Sequence, residues 1–197
     1  MATPGISRRD ILRTLTVGVA AGSVLRVIPA EAAEYVHEVV HGEKAGAAGK
    51  YAPKYFSAGQ YATLTALCDA ILPKDARSGG AVEAGAPEFV DLLTSENEEF
   101  QLRLGGGLMW LDGFCIDRYA NPYIGCTPAQ QKEVLDAIAF RKNAKKDPTL
   151  SQGVAFFALL RNMTCDAYYT SKIGIEDLGY IGNTSLREFP GCPPLPD

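Results

Sequence analysis

The sequence has few of the residues that usually hold metals or run redox chemistry. It contains two histidines, His37 and His41, and none of its five cysteines forms a Cys-x-x-Cys pair. The missing pair removes the commonest signature of thioredoxin-like exchange, c-type haem attachment and zinc knuckles. The two histidines are four positions apart, but glycines follow at once and no third ligand type clusters nearby. We interpret them as a solvated helix end and predict no metal site.

The chain also has no large excess of charge of one sign and no long uninterrupted apolar run. The formal net charge is −4, so no strong field gathers phosphates, and nucleic acid is not expected as a partner. The apolar stretch at residues 15–33 is interrupted by Arg26 and Glu31, whereas a spanning helix needs about 20 mostly uninterrupted apolar residues. We expect the mature protein to be soluble or held at a membrane only through a partner.

The N-terminal segment has the parts of an export signal in the right order. Arg8, Arg9 and Arg13 precede a modest apolar stretch and the small-residue site Ala-Glu-Ala at 30–32, after which a signal peptidase could cut. The adjacent Arg8 and Arg9 resemble the twin-arginine signal, which directs folded proteins to export. We predict a twin-arginine signal peptide at residues 1–32 and a periplasmic protein. The alternative is an amphipathic helix that stays in the mature chain.

Apolar residues at helical spacing dominate the remainder, and no alternation of period two occurs. The sequence therefore predicts an all-α fold: a small helical domain of about five helices at residues 57–173. A linker or loosely docked arm at 33–56 precedes it, because Gly, Ala and Lys there replace any sustained period. An extended tail rich in Gly and Pro follows at 174–197.

Capping boxes mark three of the predicted helix starts. In such a box two side chains satisfy amide groups that have no partner in the first helical turn. The three boxes are Ser57 with Gln60, Ser95 with Glu98, and Thr127 with Gln130.

Three consecutive glycines, Gly105 to Gly107, oppose the helix that follows the second box. Each costs roughly 1 kcal/mol relative to alanine inside a helix. They predict either a break or a place where another backbone comes close. A phosphate cradle is not indicated, because the Lys-Ser/Thr ending of a P-loop and a preceding strand are missing.

No catalytic set is evident. Cys115 lies beside Asp112 and Arg118, but nucleophilic cysteine catalysis needs a histidine base, and both histidines lie in the predicted arm. The odd number of cysteines leaves at least one unpaired or available to another chain, and their spacing leaves the pairing open. We therefore predict no catalytic, cofactor-binding or metal-ligating residue in this chain.

The chain resembles subunit 3 of the gluconate 2-dehydrogenase family, the small subunit of periplasmic flavin-dependent sugar dehydrogenases. The resemblance extends over nearly the full chain. It rests on the twin-arginine signal and on the order of the segments LCDAILPKD, GAVEAGAPEFVDLL, TPAQQKEVLDAIA, YYTSKIGIEDLGYIGN and FPGC.

The resemblance implies a non-catalytic small subunit that escorts a large partner. That partner is an FAD-containing dehydrogenase of the glucose-methanol-choline type without its own signal, so the folded pair passes the twin-arginine translocase together. FAD is expected in the partner and no cofactor in this chain, and a cytochrome c subunit accepts the electrons in many such complexes. The alternatives are an independent periplasmic thiol protein or dehydrogenase, and a structural module exported alone.

The tail is the candidate partner-binding region, because a disordered tail usually lacks the apolar residues spread through this one. Cys192 is the first candidate for a disulfide with the partner chain, and Cys165 the second. The candidate contact residues are Tyr169, Gly179, Tyr180, Gly182 and Phe189.

Overall fold

The computed structural model describes residues 28–46 and 51–182, and all regular structure in these two ranges is helical. The all-α prediction is confirmed. The fourth helix has three consecutive segments, α-helical Glu98–Phe100, π-helical Gln101–Gly105 and α-helical Gly106–Tyr119, which together we name α4. The other helices are α1 (Ala30–Gly46), α2 (Ala58–Ile71), α3 (Ala86–Ser95), α5 (Pro128–Ile138), α6 (Arg141–Lys146), α7 (Ser151–Tyr169) and α8 (Lys172–Asp177).

The long helix α7 lies at the centre of the domain. It packs against α2, α3, α4 and α8, and its inward side chains include Phe156, Leu160 and Met163, each no more than 3% exposed. The predicted capping boxes at Ser57 and Thr127 are both present, with each N-cap oxygen accepting from the amide three residues later. These caps start the helices that surround α7.

One predicted helix start is wrong. Ser95 does not cap α4, because its hydroxyl donates to the carbonyl of Leu92, and Asn97 accepts from the amide of Phe100 instead. The difference arises because a Ser hydroxyl can bond to a carbonyl of the preceding helical turn instead of capping the next helix. After α5, an extended Phe140 precedes the separate helix α6, which begins at Arg141.

The break predicted at the glycine triplet is present, because the α-helix widens into a π-turn that ends at Gly105. The close approach is by a side chain and not by another backbone: a Cβ at Gly107 would lie 2.1 Å from Cδ2 of Phe156. The hydroxyl of Tyr55 donates to the carbonyl of Gln101, the first residue of the π-turn, at 3.1 Å. The glycines therefore let α4 and α7 approach closely.

The segment predicted as a linker or loosely docked arm begins with a packed helix instead. Ala32, Ala33, Val36 and Val40 on α1 are buried, and α1 packs against α3. The helix was missed because its buried face uses small residues, whose burial depends on tertiary contacts. The cut predicted after Ala32 would fall in the first turn of this helix.

Asp91 holds the chain that connects α1 to α2. The carboxylate is fully buried on α3 and accepts from the backbone amides of Lys54, Tyr55 and Phe56 and from the hydroxyl of Tyr51. These four donors replace the water that a buried carboxylate loses. The segment entering α2 is thereby fixed to α3.

Within the described ranges, no helix is both long and apolar enough to cross a bilayer.

Candidate partner-binding surface

The predicted tail starts as an ordered helix rather than as an extended strand of chain. Helix α8 crosses the predicted boundary at residue 174 and is capped by Ser171, whose hydroxyl oxygen accepts from the amide of Gly174 at 3.1 Å. A Cβ at Gly174 would lie 2.0 Å from the carbonyl oxygen of Tyr168. Glycine there lets α8 fold back tightly onto the end of α7.

The end of α8 forms a Schellman motif. Gly179 has a left-handed backbone (φ 66°), the amide of Tyr180 donates to Ile175 O, and the amide of Gly179 donates to Glu176 O. This pair of bonds satisfies carbonyls that have no partner within the helix, and a residue with a side chain is strained at that φ. Gly179 therefore reverses the chain and sets the direction of Tyr180.

A polar cluster fixes α8 to the loop after α2. Asp177 accepts from Arg77 Nε at 3.3 Å and from the hydroxyl of Tyr168 at 3.3 Å. Arg77 also donates to the backbone carbonyl of Asp177. The hydroxyls of Ser78 and Tyr168 lie 2.9 Å apart. The cluster joins three separate parts of the chain, so α8 has a defined position on the domain.

Large apolar side chains are exposed around this helix. They belong to the end of α7, to α8 and to the residues directly after it, and Ile181 is 86% exposed. We name this set the C-terminal patch. It consists of Tyr169, Ile175, Leu178, Tyr180 and Ile181.

The structure brings four of the predicted contact residues to this place. Tyr169 and Tyr180 belong to the patch and are 43% and 54% exposed, while Gly179 and Gly182 both have positive φ and shape the backbone. Phe189 lies outside the described residues. Whether these residues bind a partner stays a prediction.

Three predicted sites fall outside the described part of the chain: Arg8 and Arg9 of the export signal and Cys192 of the predicted interchain disulfide. Cys165, the second candidate for that disulfide, is half-buried on α7. They stay predictions.

A second exposed apolar surface was missed by the sequence reasoning. Leu102, Met109 and Ile116 lie about two helical turns apart on α4 and are 77%, 71% and 50% exposed. Between them, Cβ atoms at Gly106 and Gly113 would meet nothing within 4 Å. We name these five residues the α4 stripe. The seven-residue spacing of these apolar residues could have indicated an exposed apolar face. Buried residues of α4, such as Leu104 and Leu111, recur at the same spacing, so the sequence does not distinguish the two faces.

His37 is half-buried against the end of α7 and is not part of a solvated helix end. Its Nε2 lies 2.9 Å from the hydroxyl oxygen of Thr170. Because that hydroxyl donates its proton to the carbonyl of Asp166 at 2.6 Å, its oxygen accepts a hydrogen bond from His37. The ring packs 5.1 Å from that of Phe89. Burial lowers the pKa of His37 below 6.5. The residue joins α1 to the end of α7 as a neutral imidazole.

The thiols of Cys68 and Cys165 lack the environment of a nucleophile. Burial raises the pKa of Cys68 to about 12 and also raises the pKa of Cys165, whereas a reactive cysteine has a lowered pKa. Among the described residues, no three His, Cys, Asp or Glu side chains group as a metal site.

A helical domain with two exposed apolar surfaces on an ordered frame has the features of a protein-binding module. The chain belongs to the gluconate 2-dehydrogenase subunit 3 family, whose model matches residues 58–191, more than half of its length. Its members are accessory subunits of a dehydrogenase complex, so the chain has partner subunits. The match covers α2 to α8 and leaves α1 outside. No curated protein and no solved structure matches the chain.

Proposed function

We propose that this chain is the non-catalytic small subunit that binds the large FAD-containing subunit of a sugar or sugar-acid dehydrogenase and escorts it, folded, through twin-arginine export. The observation that carries the proposal is the C-terminal patch. Five large apolar side chains are exposed there around α8, a helix held in place by Arg77, Tyr168 and Asp177.

Apolar side chains in water favour burial by about 25 cal/mol for each Å² covered. Monomeric proteins rarely group them, and aromatic residues and methionine are enriched at interfaces. Tyr169, Tyr180 and Met109 have this composition. An ordered frame lowers the entropy lost on binding, because α8 need not fold when the partner arrives.

The proposed division of labour follows from the chemistry of each chain. The flavin and the sugar site lie on the large subunit, and a cytochrome c subunit receives the electrons. A flavoprotein acquires its cofactor where the cofactor is made, so it is exported folded. The signal at Arg8 and Arg9 then serves both chains.

The experiment is co-expression of the large subunit with this chain, tagged at its C-terminus, followed by purification from the periplasm. We expect a larger chain to copurify with an oxidised-flavin absorption band. Replacing Arg8 and Arg9 with lysine is expected to retain both chains in the cytoplasm as a complex. Normal flavin loading and export of the large subunit without this chain would refute the proposal.

Dehydrogenase activity is assayed on each chain alone. Activity is expected only in preparations that contain the large subunit. Turnover by this chain in isolation would instead support an independent enzyme.

A further inference from the structure

The bond between Ala32 and Ala33, which the sequence offers to a signal peptidase, lies in a packed part of the fold. Ala32 is 2% exposed and Ala33 is fully buried. The amides of both residues donate to the carbonyl of Pro29 at 3.0 Å and so form the first turn of α1. The backbone around this bond is therefore helical and covered by the rest of the domain.

The chain just before this bond is attached to the domain as well. Ile28 is 7% exposed, and its amide donates to Oδ2 of Asp166 at 3.4 Å. Asp166 lies in the last turn of α7, the central helix of the domain. The domain therefore holds the chain on both sides of the bond.

Helix α1 is attached along its whole length after the bond. Val36 and Val40 are 3% and 6% exposed, and α1 packs against α3. The imidazole of His37 bonds to the end of α7. Near the end of α1, Lys44 forms an ion pair with the mostly buried Glu88 at 2.5 Å. These contacts keep the first turn of α1 against the domain.

A protease cuts where the chain is exposed, and burial and hydrogen bonding of the backbone decide whether a site is cut. A signal peptidase recognises small residues at the first and third positions before the cut bond, which here are Ala32 and Ala30. Ala30 is exposed, but Ala32 is buried. The bond becomes accessible only when the first turn of α1 opens, and this opening brings Ile28 and Ala33 into water.

We propose that signal peptidase does not cut the folded chain after Ala32, so that the exported protein begins upstream of Ile28 and keeps α1 complete. The inference rests on the export proposed above, because that route brings a folded chain to the peptidase. The small residues at 30–32 then serve the packing of a helix start and not processing. Helix α1 belongs to the exported subunit together with its bond to Asp166.

The sequence allows a direct test in the exported protein. Trypsin cuts after Arg26 and Lys44, so the bond lies inside the peptide 27–44. The chain, tagged at its C-terminus, is purified from the periplasm, digested and analysed by mass spectrometry. A cytoplasmic marker enzyme is assayed in the same fraction, so that chain still inside the cell is not counted.

We expect the intact peptide 27–44 from the exported chain. A peptide that begins at Ala33 and ends at Lys44 in its place would overturn the proposal. The intact peptide is expected whether the chain is cut further upstream or is not cut at all, because both leave residues 28–33 in the protein.

The role of burial is tested on the purified full-length chain with purified signal peptidase in detergent. Val40→Glu places a charge on the buried face of α1, eight residues after the bond, and leaves the residues around the bond unchanged. We expect cutting after Ala32 to be about tenfold faster or more in this variant, because the rate follows the population of the opened state. His41→Glu introduces the same charge at an exposed position and should stay uncut, as wild type does.

Rapid cutting of folded wild type after Ala32 would overturn the proposal. An uncut Val40→Glu variant, with α1 detached by hydrogen exchange, would overturn it too, because burial would then not be what protects the bond. Thermal melting shows whether the variant still folds. If it does not, Lys44→Gln, which removes only the pair with Glu88, replaces it and should be cut faster than wild type.

The assay on the purified chain needs no export, so its result stands whichever route the protein takes in the cell. Export is measured separately, by replacing Arg8 and Arg9 with lysine, and binding of the large subunit by copurification. The failure of the proposed complex and the failure of this inference are thus distinguishable.

Discussion

Arg77 and Asp177, 100 positions apart in the sequence, form an ion pair that fixes the last turn of α8 to the loop after α2. The same carboxylate accepts from the hydroxyl of Tyr168 on α7. Three distant parts of the chain therefore determine where the C-terminal patch begins. The side chains of the patch are exposed, but the hydrogen bonds and the ion pair of Asp177 fix the position of α8.

Replacing Arg77 with glutamine is expected to affect binding more than folding. The arginine side chain is 75% exposed, and exposed ion pairs contribute only about 0–1 kcal/mol to stability. The affinity for the large subunit should fall because α8 loses its attachment. Calorimetric titration and thermal melts measure the two effects. Lys172→Gln, which removes the more exposed pair with Glu176, is the control, and equal affinities of the two variants would contradict the argument.

Gly107→Ala is expected to destabilise the domain by about 1–3 kcal/mol, because the added methyl group would overlap the ring of Phe156. Gly106→Ala, at the adjacent position, meets nothing within 4 Å and should stabilise α4 by up to about 1 kcal/mol. Urea denaturation followed by circular dichroism separates the two. Similar midpoints for the two variants would show that α4 and α7 do not approach as described.

His37 is expected to make stability depend on pH. Burial lowers its pKa below 6.5 in the folded state, so the unfolded chain binds the proton first as the pH falls. Stability should therefore be full above about pH 6.5 and decline as the pH falls toward the folded pKa. His37→Gln should flatten this part of the curve, and His41→Gln, which changes an exposed side chain of the same helix, should not.

Chemical denaturation at a series of pH values tests this expectation. The quantity compared is the slope of the unfolding free energy against pH. The absolute free energy is not compared, because His37→Gln also loses the hydrogen bond to Thr170. Equal pH slopes of stability for the two variants would contradict a half-buried neutral His37.

Asp91→Asn is expected to cost about 3 kcal/mol or more. The variant places an amide against three backbone N–H donors that now bond to a carboxylate, and each hydrogen bond to a charged group contributes about 1.5–3 kcal/mol. Asp69→Asn, at an exposed position on α2, should stay within about 0.5 kcal/mol of wild type. Denaturation midpoints of the two variants provide the measurement, and equal midpoints would rule out the role given to Asp91.

Local sequence signals predicted much of the helical frame. Ser57 and Thr127 start helices because each cap bonds within its own first turn, which needs no distant residue. The glycine triplet likewise predicted an interruption of α4, and a π-turn ends at Gly105. The contact of Gly107 with the side chain of Phe156 depends on how α4 and α7 cross and could not be read from the sequence.

The features that were missed depend on contacts between distant segments. Helix α1 has a narrow apolar face, and only its contact with α3 shows that this face is buried. In the sequence, Asp91 interrupts an apolar helix; the structure shows that its carboxylate accepts from the backbone amides of residues 54–56. The sequence predicted the tail as a candidate partner-binding region. It did not predict the α4 stripe, because exposed and buried residues of α4 recur at similar spacing.

The central claim is that the C-terminal patch binds the large subunit, and the most direct measurement is the affinity between the two purified proteins. Leu178→Glu places a charge in the patch at a position already 61% exposed, so the fold should be retained. Met109→Glu does the same in the α4 stripe, and Lys132→Glu on the exposed side of α5 is the control.

We predict that Leu178→Glu weakens binding at least tenfold, equivalent to about 1.4 kcal/mol, with an unchanged melting temperature. Lys132→Glu should bind as wild type does. Comparison with Met109→Glu shows whether the α4 stripe takes part in the same interface. Wild-type affinity of a folded Leu178→Glu variant would contradict the account.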